Sequence, residues 1–294
     1  MIIFKGNNGV RSGWRFLAYV AIVVGLNYLI GLIAEPLFKS LHLSNAWLNV
    51  LGPGQLFAGE VLFAVPVIVA TFVMARLERR SILSYGFAPS PRSSERFFEG
   101  VLLGVIAPGI VGVLMIAFGG MRIHGPGLSG TGWIVYPLGW LGVMLMVGFF
   151  EEACFRGYPL YALSRGVGFW PAAIVVTLLF GAAHLTKQGE NAVDISSVML
   201  LGLFMCYTLL KTGSLWLAAG FHFAFDFVQF FVIGTRNGSQ VPHGTLFNVT
   251  FPGPAWVNGG PLGTEASYFV FPVTLALFAY VAWRFSDRNL IVKA

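Results

Sequence analysis

Apolar residues run along this chain in eight long blocks, each closed by a short polar or Gly/Pro-rich segment: 16–34, 56–75, 101–121, 133–150, 166–186, 195–210, 212–235 and 266–283. A helix needs roughly 20 apolar residues to cross the hydrocarbon of a bilayer, whereas the strands of a membrane barrel alternate in polarity over about ten. These blocks are too long and too uniformly apolar for a barrel. They predict an all-α, polytopic transmembrane bundle of about eight helices. The first block is expected to end at Glu35-Pro36, the second carries Glu60 near one end, and the seventh is interrupted by His222 and Asp226. The basic opening segment runs into an apolar stretch too long for a signal-peptide core, which predicts a first crossing that stays attached.

Lysine and arginine orient such a bundle, because they accumulate in cytoplasmic segments. With the N-terminus inside, fourteen of the 18 basic residues fall in inner segments, and Lys39, Arg122, Lys187 and Arg236 fall outside. Both termini are therefore expected in the cytoplasm. Residues 75–96 form a basic inner loop and 234–263 a Gly/Pro-rich outer one. No linker is long or polar enough to divide the chain, so 1–294 reads as a single integral membrane domain.

Composition removes the other classes. Hydrophobic residues make up 56% and charged residues only 10%, with mean hydropathy +0.77; soluble domains carry about a quarter charged residues. Aromatics at 15% argue against disorder. The net charge of +6 belongs to the inner loops rather than to a nucleic-acid surface, so the bilayer is a partner and nucleic acid is not. Cys154 and Cys206 both lie in apolar stretches, with neither disulfide nor metal-ligand spacing.

Ionisable groups at membrane depth are costly unless paired or solvated, so they mark function. Three clusters qualify. In Glu151-Glu152-Ala153-Cys154-Phe155-Arg156, Glu152 and Arg156 are four apart and share a helix face. Glu151 lies on another face, left for chemistry, although an interfacial charge cluster closing a helix would look the same. His184 follows Phe180 by one turn, after the small residues Gly181, Ala182 and Ala183 that let a neighbouring helix approach. His222 and Asp226 are again four apart, in a block otherwise filled by Phe, Ala and Val. A self-satisfying His–Asp pair would account for the contact but not for its placement. This inventory suits activation of water by a carboxylate and a histidine beside oxyanion donors. It suits equally one divalent metal such as zinc on Glu151, His184, His222 and Asp226. The zincin motif HExxH is absent. An aspartyl pair would need a mate for Asp226, and the candidate, Asp194, is expected in a loop.

The three clusters resemble the motifs of the CPBP intramembrane proteases, also called the Abi or CAAX-amino-terminal-protease family, which includes the Ras-converting CAAX endopeptidase and bacteriocin self-immunity proteins. The family's EExxxR, FxxxH and aromatic-x5-H-x3-N/D stand here as Glu151-Glu152…Arg156, Phe180…His184 and Trp216…His222…Asp226. They fall within 133–235; residues 1–132 carry no recognisable motif. The resemblance implies that Glu151 and His184 activate water, that His222 and Asp226 stabilise the oxyanion, and that Glu152 and Arg156 support them. It leaves the cofactor open between none and one metal. An ionised Asp226 stands where the CAAX type has Asn and cannot donate to an oxyanion, so it must be protonated, orient His222 or bind a metal.

The resemblance also sets a topological condition. Simple counting puts Glu151 near the inner end of one helix and His184 near the outer end of the next, yet the two must meet. A fourth helix that begins later and continues through Arg156 is the expected solution, because Gly132, Pro137, Gly139 and Gly142 weaken its start. The function implied is endopeptidase cleavage of a membrane-associated peptide or protein, CAAX-type or bacteriocin-related, in a multi-pass protein of the bacterial inner membrane. The rival is a proton- or ion-coupled transporter using the same residues. It predicts two similar halves with broken helices, and no such repeat is visible.

Overall fold

The computed structural model describes residues 5–6, 9–40, 51–185, 189, 191–237 and 240–286. The elements run β1 (Lys5–Gly6), β2 (Gly9–Val10), α1 (Ser12–Ser40), α2 (Pro53–Leu77), α3 (Ser93–Ala117), β3 (Arg122–Pro126), α4 (Gly132–Glu152), α5 (Tyr158–Val167), α6 (Phe169–His184) and α7 (Ala192–Thr212), then α8 (Trp216–Asp226), β4 (Phe247–Thr250), α9 (Ala255–Asn258) and α10 (Val270–Arg284). Among the described residues, seven helical runs are long and apolar enough to cross a membrane. The polytopic helical bundle read from the eight blocks is thus observed, with two antiparallel ribbons, β1–β2 and β3–β4, added outside the apolar runs.

Four boundaries differ from expectation. The first helix does not stop at Glu35-Pro36 but continues through Pro36 to Ser40. The fifth block becomes α6, a helix of 16 residues and about 24 Å, shorter than the membrane-length runs because Gly168, at φ 85°, breaks the chain before it. Part of that block's end, Thr186, lies outside the described residues. Asp194 is not in a loop: Asn191 caps α7 by accepting from the Val193 and Asp194 amides, which puts Asp194 in the first turn. The fourth helix begins at Gly132 rather than later, with Pro137 inside it, because Trp140, Val143 and Met144 bury against Phe223, Ala224 and Phe230 and that packing outweighs propensity. It does continue through Arg156: a π-helical turn, Ala153–Gly157, joins α4 to α5 as one run of 36 residues.

Arg15, Arg96 and Arg284, expected inside, lie at one end of the bundle, whereas Arg156, counted with them, is buried within it. Arg15 of α1 meets Glu78 just after α2 at 3.3 Å, Arg96 of α3 donates to the Thr212 carbonyl at the end of α7, and Arg284 of α10 reaches Glu99 of α3 at 3.3 Å. Glu78 also accepts from Tyr158 and Tyr85 at 2.7 and 3.3 Å. Burial, then the Glu78 carboxylate, raises the Tyr85 phenol above its ordinary value, so it remains a donor. The opposite end carries the β3–β4 ribbon and the Tyr136–His243 hydrogen bond.

Helix α8 is the axis of the bundle; every residue from Leu217 to Asp226 is buried. Its closest neighbour is α3, and glycine makes that approach. A Cβ at Gly100 would overlap the Leu217 carbonyl oxygen, one at Gly104 that of Phe221, and one at Gly220 that of Phe97. Small residues four apart allow such backbone contact where lipid supplies no hydrophobic drive. The first half of the chain, without a motif of its own, thus positions the helix that carries His222 and Asp226. Large apolar side chains are exposed on α1, α2, α3 and α6, as a lipid-facing surface requires.

Candidate active site

The site lies where α4 crosses α8. A Cβ at Gly148 would come within 2.8 Å of the Phe223 amide nitrogen, so the two backbones touch one turn before the glutamates. Glu152 is then delivered to His222, with its Oε1 3.0 Å from Nδ1. Arg156, in the π turn, donates to the same oxygen from Nη1 at 2.9 Å, and both side chains of the pair are fully buried. The guanidinium lies 4.2 Å from the centre of the Phe180 ring. Across from it, a Cβ at Gly202 would sit 2.8 Å from Nη2, so α7 leaves room for the cation.

Glu151 has a different environment. Its side chain is 21% exposed, and Oε2 stands 3.7 Å from His222 Nε2. Asp226 Oδ2 is 3.5 Å from the same nitrogen. His222 is therefore ringed by carboxylates, one facing Nδ1 and two facing Nε2. His184 donates from Nδ1 to the Phe180 carbonyl at 2.8 Å, which in the neutral ring puts the lone pair on Nε2. The Phe180 ring lies edge-on to both imidazoles, at 4.7 and 6.2 Å between centres.

Glu151, His184, His222 and Asp226 all line one cavity of about 330 Å³. Glu151 and His184 reach the same cavity because the α4 run carries Glu151 into the bundle before it ends at residue 167, while α6 is short. Four further polar side chains on this cavity were not joined to it by sequence: Glu60 of α2, Gln229, Asn237 and Glu265. Gln229 lies in a second π-helical segment, Phe227–Ile233, directly after Asp226; π turns of this kind recur at functional sites. A polar residue three positions after Asp226 in an apolar block was the signal available for it.

The four residues considered as metal ligands do not fit a bound ion as they stand. Among the described residues, no group of three or more His, Cys, Asp or Glu side chains converges to hold one. The carboxylates face the nitrogens of His222 instead of sharing an open point with them, and no step is derived through a metal.

An apolar bundle enclosing carboxylates and histidines around a cavity of this size defines a multi-pass membrane protein with a buried acid–histidine centre. Residues 131–228, about a third of the chain, match the family model described as Type II CAAX prenyl endopeptidase Rce1-like. The resemblance drawn from the three motifs is borne out over this segment, which is similar to that family of membrane proteases. No curated protein matches the chain.

Proposed function

We propose that this protein is an intramembrane endopeptidase that cleaves a membrane-associated polypeptide by direct attack of water, without an acyl-enzyme. The observation that carries the reading is the division of labour between adjacent glutamates. Glu152 is neutralised by Arg156, whereas Glu151 faces, beside His222, the cavity that His184 also lines.

In this mechanism Glu151 takes a proton from water as its oxygen attacks the scissile carbonyl carbon. His184 Nε2 accepts the second hydrogen of that water as a hydrogen bond and aligns it. The oxyanion that forms is met by the Nε2–H of His222, whose ring is held by Glu152 through Nδ1 and by Asp226. The proton then passes from Glu151 to the amide nitrogen as the C–N bond breaks, giving a carboxylic acid and an amine, and the acid's proton passes to the amine to leave a carboxylate and an ammonium group. Charge developing in a buried site is stabilised far more than it would be in water. Asp226 acts as an acceptor that orients His222, which answers how an ionised aspartate serves where an asparagine would donate. Activation by Glu151 and His184 requires no metal. The substrate proposed is a CAAX-type or bacteriocin-related chain at the bacterial inner membrane; a cavity of this size takes a short extended segment.

The test is purified protein, in detergent and in liposomes, with a library of membrane peptides. Wild-type protein is expected to release fragments and Glu151→Ala none. Equal cleavage by both, or solute flux without cleavage, would refute the reading.

A further inference from the structure

We propose that Gln229 is a positioning residue of this site: its amide fixes the Asp226 carboxylate and, through it, the His222 ring. The inference rests on the protease reading above.

Gln229 is 1% exposed and spends all of its hydrogen-bonding groups on one arrangement. Its Nε2 donates to Asp226 Oδ1 at 3.0 Å and to Glu265 Oε1 at 3.3 Å, and its Oε1 accepts from Thr264 Oγ1 at 2.9 Å. An amide nitrogen has two hydrogens and here two carboxylates receive them, so the amide can face only one way. Neither hydrogen is left for an oxyanion. The residue therefore acts through Asp226 and not on substrate.

The partners of Gln229 are themselves anchored. Thr264 donates its backbone N–H to Thr235 Oγ1 at 2.9 Å. The chain can approach there because Gly263, at φ 70°, has no Cβ; one would overlap the Thr235 hydroxyl. Ser197 of α7 donates to the Glu265 carbonyl at 2.5 Å. The segment Gly260–Ala266 is thus tied to α7 and to the end of the α8 run, and Gln229 passes that anchoring to Asp226.

The physical need for an amide at this point is electrostatic. Asp226 and Glu265 approach one another across the Gln229 nitrogen, and like charges at that range repel. The amide hydrogens separate them and hold Asp226 by one oxygen. The other oxygen stays 3.5 Å from His222 Nε2, where it aligns the ring toward Glu151. A residue that served stability alone could be replaced by an apolar one of similar volume, as buried polar networks often can.

The experiment is a double-mutant cycle on cleavage, with wild type and Glu151→Gln assayed alongside. Glu151-dependent cleavage by wild type establishes the reading; its absence overturns both that reading and this inference. Gln229→Glu keeps shape but replaces the donor by a third carboxylate. It is expected to lower kcat about 10²-fold, the effect of misplacing a catalytic group by about 1 Å, with KM changed less than threefold. In an Asp226→Asn background the asparagine NH2 donates to the carboxylate introduced at position 229, and its carbonyl still accepts from His222. The same Gln229→Glu change should there cost at least tenfold less in kcat. Equal losses in the two backgrounds would overturn the proposal, as would Gln229→Leu protein that folds and keeps kcat within threefold of wild type.

Discussion

Replacing Arg156 by alanine separates a structural from a chemical role for the EExxxR cluster. The guanidinium is 1% exposed and neutralises Glu152 at 2.9 Å, where neither side chain reaches solvent. Removing one member of a fully buried pair costs about 3–5 kcal/mol, because the other charge is stranded. Glu152 keeps the Nδ1–H of His222 at 3.0 Å, which places the loss at the lower end, about 3 kcal/mol. Chains of this order lose about 2–4 °C of Tm per kcal/mol, so Arg156→Ala should melt about 6–12 °C below wild type. The assay is intrinsic tryptophan fluorescence during heating, at fixed detergent and protein concentration. Glu152→Gln/Arg156→Met supplies the control. It leaves no buried charge unpaired and should recover most of the Tm while cleavage stays low, since a neutral amide holds His222 less strongly. A Tm for Arg156→Ala within about 2 °C of wild type would refute the buried-pair argument. So would a double variant no more stable than the single one.

Glu151→Gln and His184→Ala should each lower cleavage by about 10²–10⁴-fold, the usual contribution of a general base, with Tm changed by less than about 2 °C because both face the cavity; losses under tenfold in both would remove them from the chemistry. Strong chelators should leave cleavage unchanged, and Asp226→Asn should lose part of it, because its one carbonyl accepts from His222 while its NH2 meets the Gln229 NH2; chelator-sensitive activity restored by zinc would reverse the metal-free mechanism. Gly104→Ala should destabilise the bundle by about 1–3 kcal/mol, as overpacking does, because its Cβ would overlap the Phe221 carbonyl oxygen; unchanged Tm and cleavage would show that α3 does not set the position of α8.

The chemistry of the site was legible in sequence where it rests on helical spacing. Glu152 and Arg156, and His222 and Asp226, are both i,i+4 pairs, and both contacts are present. Relations between distant segments were not legible. Spacing cannot say that His222 Nδ1 turns to Glu152, 70 positions away, because that depends on how closely α4 and α8 cross. The glycines that set the packing of α8, Gly148 of α4 against α8 and Gly220 of α8 against α3, look in sequence like ordinary helix-weakening residues. The same weakness argument moved the expected start of the fourth helix later than Gly132, where packing against α8 outweighs propensity. Glu265 escaped for another reason: it lies at the edge of the Gly/Pro-rich outer loop, where a carboxylate reads as solvated until the segment is seen folded back over the cavity.

The two π turns explain why one run can serve two surfaces. Residues in an α-helix advance by about 100° each, so one extra residue in a turn rotates everything beyond it by about that angle. Before Ala153–Gly157, the α4 run points Gly148 and Glu152 at α8. Beyond it, Tyr158 and Ala162 turn toward α1 and α2, where Tyr158 stacks on Tyr19 at 5.3 Å between ring centres and donates to Glu78. Arg156 sits inside the turn and faces back to Glu152. The turn after Asp226 does the same for the axis helix. His222 and Asp226 face Glu151 ahead of it, and Gln229 within it faces Thr264 and Glu265. The acidic residues of α4 and α8 are thus placed at the ends of regular helices, with the change of phase just beyond them binding the partners that hold them. A straight α-helix through the first segment would keep the Glu152–Arg156 pair but turn Tyr158 away from Tyr19 and Glu78.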